Sequence, residues 1–126
     1  MSFQKISTQR VLSFKYAFTG IISALKEEPN LKFHFLTAFL VLTAAIVLGI
    51  SKWDFMIIIF LIGFVVSLEL TNTAIEAVVD SFTNDAHPGA KLAKDVSAGA
   101  VLVAAVTSAI LGTVIFLPYI QTFLNL

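Results

Sequence analysis

The chain has 126 residues, 58% of them hydrophobic and 13% charged, and its formal net charge is zero. With a mean hydropathy of +0.94, a water-soluble domain of this size could not hide its apolar side chains, so lipid is expected to be the solvent for much of it. No basic run suits a nucleic-acid partner, and the lack of cysteine excludes disulfides and thiolate metal sites.

One domain over residues 1–126 is expected at this length. Residues 1–15 are polar and mildly basic, with no apolar stretch before a small-residue cleavage site, so a cleaved signal peptide is not expected. From about residue 8 to 27, apolar Leu12, Tyr16, Ile21 and Leu25 alternate with Lys15 and Lys26 on other faces. That pattern predicts an amphipathic helix lying in the membrane interface. Pro29 marks a break after it.

Three stretches are long enough to cross a bilayer, at about 33–50, 55–79 and 98–118, the last ending at Pro118. Ser51-Lys52-Trp53-Asp54 makes a short turn between the first two, and a longer polar loop, 81–89, joins the second to the third. Lys5, Arg10, Lys15, Lys26 and Lys32 precede the first span, Lys91 and Lys94 follow the second, and only Lys52 lies on the other side. The positive-inside rule then places the N-terminus and the 81–89 loop in the cytoplasm. The expected fold is all-α: three transmembrane helices plus an N-terminal interfacial helix.

The second span carries Glu69, Asn72, Glu76 and Asp80. At about 100° per residue these four fall within an arc of roughly 80°, one line along the helix. The apolar run of residues 55–68 before them covers only about 21 Å of a hydrocarbon core of about 30 Å. Glu69 is therefore expected inside the apolar layer near its cytoplasmic boundary, with Asp80 in water. A single membrane acid can serve as an interhelical hydrogen-bonding group. Four polar groups in line call for a common role, because burying an acid costs about 2.5–3.5 kcal/mol at the membrane centre. Glu69 suits a general base acting on the polar head of an apolar substrate, and Glu76 a ligand for a hard cation such as Mg2+.

Other polar groups are ambiguous by themselves. Glu27-Glu28 reads as a solvated helix end, Lys94-Asp95 as a flanking pair, His87-Pro88 as turn chemistry and Tyr16 as an interfacial anchor. No GxxxxGK[ST] loop, GxGxxG motif or kinase catalytic-loop signature is present.

The run Glu69-Leu-Thr-Asn72-Thr-Ala-Ile-Glu76-Ala-Val-Val-Asp80 resembles the signature E-x-x-N-[ST]-A-I-E-x-x-V-D of the bacterial diacylglycerol kinase/undecaprenol kinase family. Ala93-Lys94-Asp95, leading into the last span, is similar to that family's A-K-D segment, and the resemblance covers essentially the whole chain. It implies a multi-pass protein of the bacterial plasma membrane. It also implies a homotrimer, with sites shared between subunits, that transfers the γ-phosphoryl group of Mg-ATP to a lipid hydroxyl. By position, Glu69 matches the family's proton acceptor with Asn72 beside it, and Glu28 and Glu76 match its metal-binding acids. Tyr16, Asp80, Asp85, His87, Lys94 and Asp95 fall at or near nucleotide-contacting positions. Glu27 competes with Glu28 for register, and Arg10 is a candidate for the N-terminal Arg that the family places in the site.

The segment around His87-Pro88 and the ending Val-Ile-Phe-Leu-Pro118 resemble the Gram-positive branch, whose members act on undecaprenol. Diacylglycerol is the alternative acceptor, since both lipids end in a primary hydroxyl. A reading from a different class is a non-enzymatic membrane oligomer that binds cations along the acidic stripe.

Overall fold

A computed structural model of the chain describes residues 3–82 and 87–125, with side chains from residue 12 onward. The described residues form four helices: α1 (Phe3–Glu27), α2 (Pro29–Val47), α3 (Lys52–Phe82) and α4 (Pro88–Phe123). Of these, α2, α3 and α4 are long and apolar enough to cross a membrane. The protein is thus an all-helical membrane protein with three candidate spans.

Proline sets two of the helix starts. The residue before proline is pushed out of the α region, while proline itself is tolerated in a helix's first turn. Glu28 is accordingly extended (φ −96°, ψ 112°) with Pro29 opening α2. His87 is likewise extended (φ −92°, ψ 124°) with Pro88 opening α4. Pro118 does not end α4, as its position at the close of the apolar run suggested; the helix continues to Phe123. α1 starts at Phe3, earlier than its amphipathic pattern indicated, and α4 starts ten residues before the apolar stretch that marks its span.

The outer turn is built locally. Gly49 adopts φ +59° after α2, and the Ile50 N–H donates back to the Ala45 carbonyl at 3.2 Å, closing a Schellman-type end. Ser51 then caps α3: its Oγ accepts from the Asp54 N–H at 3.1 Å and donates to the Asp54 carboxylate at 2.8 Å. Lys52, Trp53 and Asp54 therefore already belong to the first turn of α3. Tyr119 of α4 completes the group, donating to Asp54 at 2.5 Å and accepting from the Ser51 N–H at 3.0 Å.

α3 is the central element, packed most extensively on α4 and also against α2 and α1. Its buried face runs Ile58, Leu61, Val65, Glu69 and Asn72, one side of a helix at steps of three and four residues. Leu31 and Ala45 of α2, and Ser97, Val101 and Ala104 of α4, bury against the same core. Small residues at Ala45, Ser97 and Ala104 permit close backbone approach. Phe39, Phe60 and Val103 stay exposed, as suits helices whose outer faces meet lipid.

At 31 and 36 residues, α3 and α4 exceed the roughly 20 residues that cross a hydrocarbon core of about 30 Å. Tyr119→Phe removes the donor to Asp54 and the acceptor for Ser51. It is expected to lower the midpoint of thermal unfolding in detergent micelles; an unchanged midpoint would show that this contact adds nothing to stability.

Candidate active site

The polar line on α3 follows a gradient of exposure. Glu69 is 3% exposed and Asn72 8%, Glu76 is half-buried, and Asp80 is exposed. The first two continue the apolar core face of α3 and the last two lead out of it. Each occupant of the line thus meets a different mixture of protein and water.

Neighbouring helices supply its partners. Ser97 of α4 donates from Oγ to Asn72 Oδ1 at 2.6 Å, and Asn72 Nδ2 donates to Glu76 Oε1 at 3.2 Å. Two turns further toward the helix end, Lys94 donates to both Asp80 oxygens, at 2.9 and 3.1 Å. The ion pair is partly solvated, so its value lies in placing the ammonium beside the stripe more than in stability.

Glu69 lies close enough to His34, Glu76 and Glu28 to feel their charges. This distinguishes the adjacent acids between α1 and α2. Glu28, extended because Pro29 follows it, is half-buried and reaches the Glu69 neighbourhood, while Glu27 ends α1 exposed to solvent. Among the described residues no three His, Asp or Glu side chains form a ready metal cage. Mg2+ does not need one, since it is held by one or two carboxylates together with substrate phosphates. Glu28 and Glu76 offer hard oxygen donors of that kind.

His87 serves first as a helix cap: its Nδ1 accepts from the Gly89 N–H at 3.1 Å. The accepting role places the imidazole proton on Nε2. Gly89 makes room for the ring, because a Cβ there would stand 3.3 Å from it. Tyr16 is 68% exposed on α1, outside the buried polar group, and Asp95 is exposed on α4. Asp85 lies outside the described residues, as does the side chain of Arg10.

Two members of the group were not singled out in the sequence. Ser97 falls three residues after Lys94, which returns it to the same side of α4; that spacing is the only local sign of it. His34, half-buried on α2, stands three residues after the fully buried Leu31, a position on the inward face. His34 also lines an apolar trough of about 770 Å³ that runs between α2, α3 and α4 past Ile62, Val66 and Ser108 to Phe116.

Fold and site together define an all-helical membrane protein with three candidate spans and a polar line, Glu69 to Asp80, that runs from the buried core of the bundle to its exposed surface. The family model described as prokaryotic diacylglycerol kinase matches residues 15–116. An undecaprenol kinase from Bacillus subtilis is 49% identical over 106 residues, covering 84% of this chain and 86% of that protein. A diacylglycerol kinase from Synechocystis sp. is 36% identical over 90% of this chain and 66% of its own length. One from Haemophilus influenzae is 31% identical over 77% and 82%. The chain belongs to the prokaryotic diacylglycerol kinase family, and is a membrane lipid kinase.

The two adjacent acids are separable by experiment. Glu28→Gln is expected to lower lipid phosphorylation by at least about tenfold. Glu27→Gln should leave it within about twofold, in keeping with a solvated surface charge. Initial rates in mixed micelles check both, and equal losses would undo the assignment to Glu28.

Proposed function

We propose that the protein phosphorylates undecaprenol, transferring the γ-phosphoryl group of ATP to the lipid's terminal hydroxyl at the cytoplasmic boundary of the plasma membrane. The observation behind this reading is the placement of Glu69, buried on α3 beside Asn72 and within reach of the charges of Glu28, His34 and Glu76. A base held out of water at the end of an apolar bundle suits an acceptor that arrives through the bilayer. The 49% identity to an undecaprenol kinase, against 36% and 31% to the diacylglycerol kinases, favours undecaprenol over diacylglycerol. The lysine and arginine distribution supports a cytoplasmic N-terminus and 81–89 loop.

In the reaction the lipid oxygen bonds to the γ-phosphorus while the bond to the β,γ-bridging oxygen breaks, and ADP leaves. The hydroxyl proton passes to a Glu69 carboxylate oxygen. Phosphoryl transfer needs alignment and neutralised charge more than covalent participation. Glu28 and Glu76 would hold Mg2+, which when bound would supply part of that neutralisation. Lys94, now paired with Asp80, adds a cation that exchanges its carboxylate partner for phosphate oxygens. Tyr16, Asp80, Asp85, His87 and Asp95 make up the nucleotide side. Tyr16 and Asp95 are exposed in the single chain, which supports a site completed by a second copy within a homotrimer.

Purified protein in mixed micelles with Mg-ATP should label undecaprenol in preference to diacylglycerol. Preference for diacylglycerol would reassign the acceptor, and transfer to neither would sink the kinase reading. Glu69→Gln should reduce turnover by roughly 100-fold or more while nucleotide binding persists, because the lost group acts on the lipid hydroxyl. Full activity in that variant would remove Glu69 from the role of base.

A further inference from the structure

Ser97 stands on the side of α4 that faces α3, in line with Val101 and Ala104, and is 9% exposed. Its hydroxyl has two oxygen neighbours, Asn72 Oδ1 at 2.6 Å and the Lys94 carbonyl at 3.0 Å, and a single hydrogen to give. The direction of the interaction is fixed from its far end. The Asn72 amide turns Nδ2 toward Glu76 Oε1, 3.2 Å away, and donates to it. Oδ1 then faces Ser97, and the hydroxyl must donate to it.

We propose that Ser97 is a positioning residue for Glu76, acting through Asn72 to hold that carboxylate in its metal-binding orientation; the proposal rests on the reading of Glu76 as a metal ligand. Asn72 is 8% exposed, so Oδ1 has little water to turn to. With the Ser97 hydroxyl removed, Oδ1 loses the donor that fixes the amide's rotation, and the bond from Nδ2 to Glu76 is no longer held in place. Glu76 is only half-buried, so an untied carboxylate spreads over several rotamers. Tied by Oε1, it would keep Oε2 free for a cation. Ser97 also lies one turn from Lys94, so the bond to Asn72 and the ion pair to Asp80 fix the same stretch of α4 to both halves of the stripe.

Two measurements test this: binding of Mn2+ in the presence of ADP, followed by the electron paramagnetic resonance of the free ion, and the Mg2+ concentration giving half-maximal rate at saturating ATP and lipid. Ser97→Ala is expected to weaken Mn2+ binding and raise the Mg2+ requirement, each roughly tenfold. Ser97→Thr keeps the hydroxyl and should restore both to within about threefold. Glu76→Gln, measured alongside, should weaken Mn2+ more than Ser97→Ala does. Wild-type Mn2+ affinity in Ser97→Ala with weakened binding in Glu76→Gln overturns the positioning role alone. Wild-type affinity in Glu76→Gln overturns the metal reading and this proposal with it. If Ser97→Ala fails to fold, Ser97→Thr against Ser97→Val isolates the hydroxyl at nearly constant shape: weaker binding in the valine variant supports the proposal, and equal binding overturns it.

Discussion

The hydrogen bond from Ser97 to Asn72, 2.6 Å long and buried between α4 and α3, sets what the rest of the site can be. Between membrane helices apolar contact offers little preference over lipid, so polar contacts and close packing decide how one helix sits against another. α3 and α4 are joined at both ends in this way. Ser97 meets Asn72 at one end, and Tyr119 meets Asp54 at the other. Along α3 these contacts are separated by about 27 Å of helix, close to the thickness of a hydrocarbon core of about 30 Å. Ile58, Leu61 and Val65 of α3 and Val101 and Ala104 of α4 are buried between them, so a slip of α4 by one residue would strand two polar groups and misplace Lys94.

That register explains how one helix face can hold groups with different tasks. Glu69 and Asn72 occupy places where the packing of α3 would otherwise call for an apolar side chain. Glu76 and Asp80, one and two turns further out, lie where α3 and α4 leave the bundle. An acid in the first environment is poorly hydrated and suits proton transfer from an apolar alcohol. An acid in the second can meet a hydrated cation without a large desolvation cost. The same three- and four-residue spacing that lines the groups up also carries them from the buried core to the exposed end, because the helix rises about 4.5–6 Å at each such step.

The stripe was legible in the sequence because it depends on one helix alone: the period of α3 and the length of its apolar run suffice to find it. The presence of three helices long and apolar enough to span was legible for the same reason. What escaped depends on how separate helices are rotated toward each other. Ser97 and His34 look, in sequence, like ordinary polar residues near span ends; only the packing of α4 and α2 on α3 turns them toward Asn72 and Glu69. Pro29 was visible as a break, yet its effect on Glu28 appears only with the backbone. By forcing Glu28 out of the helix it gives that acid a direction different from Glu27's. Tyr119 was equally hidden, lying far along the chain from the turn it joins.

In the proposed reaction a single chain would supply one side of the centre. Glu28 and Glu76 are near enough to Glu69 for their charges to act on it, and Asn72 bonds to both Glu76 and Ser97. An acidic cluster of this kind repels a polyphosphate unless cations intervene, and Lys94 is the one cation held against the stripe among the described contacts. One ammonium does not balance a nucleotide triphosphate, so the proposed reaction calls for a metal ion and basic groups beyond those packed along the stripe. The N-terminal segment is basic, with Lys5, Arg10 and Lys15, and α1 meets α3 over only a short stretch and leaves Tyr16 exposed. The proposed chemistry therefore makes one demand on the fold: cations that the described contacts of the stripe do not include. An arm from a neighbouring copy, laid across the open side of the stripe, would meet that demand without altering the α3–α4 register.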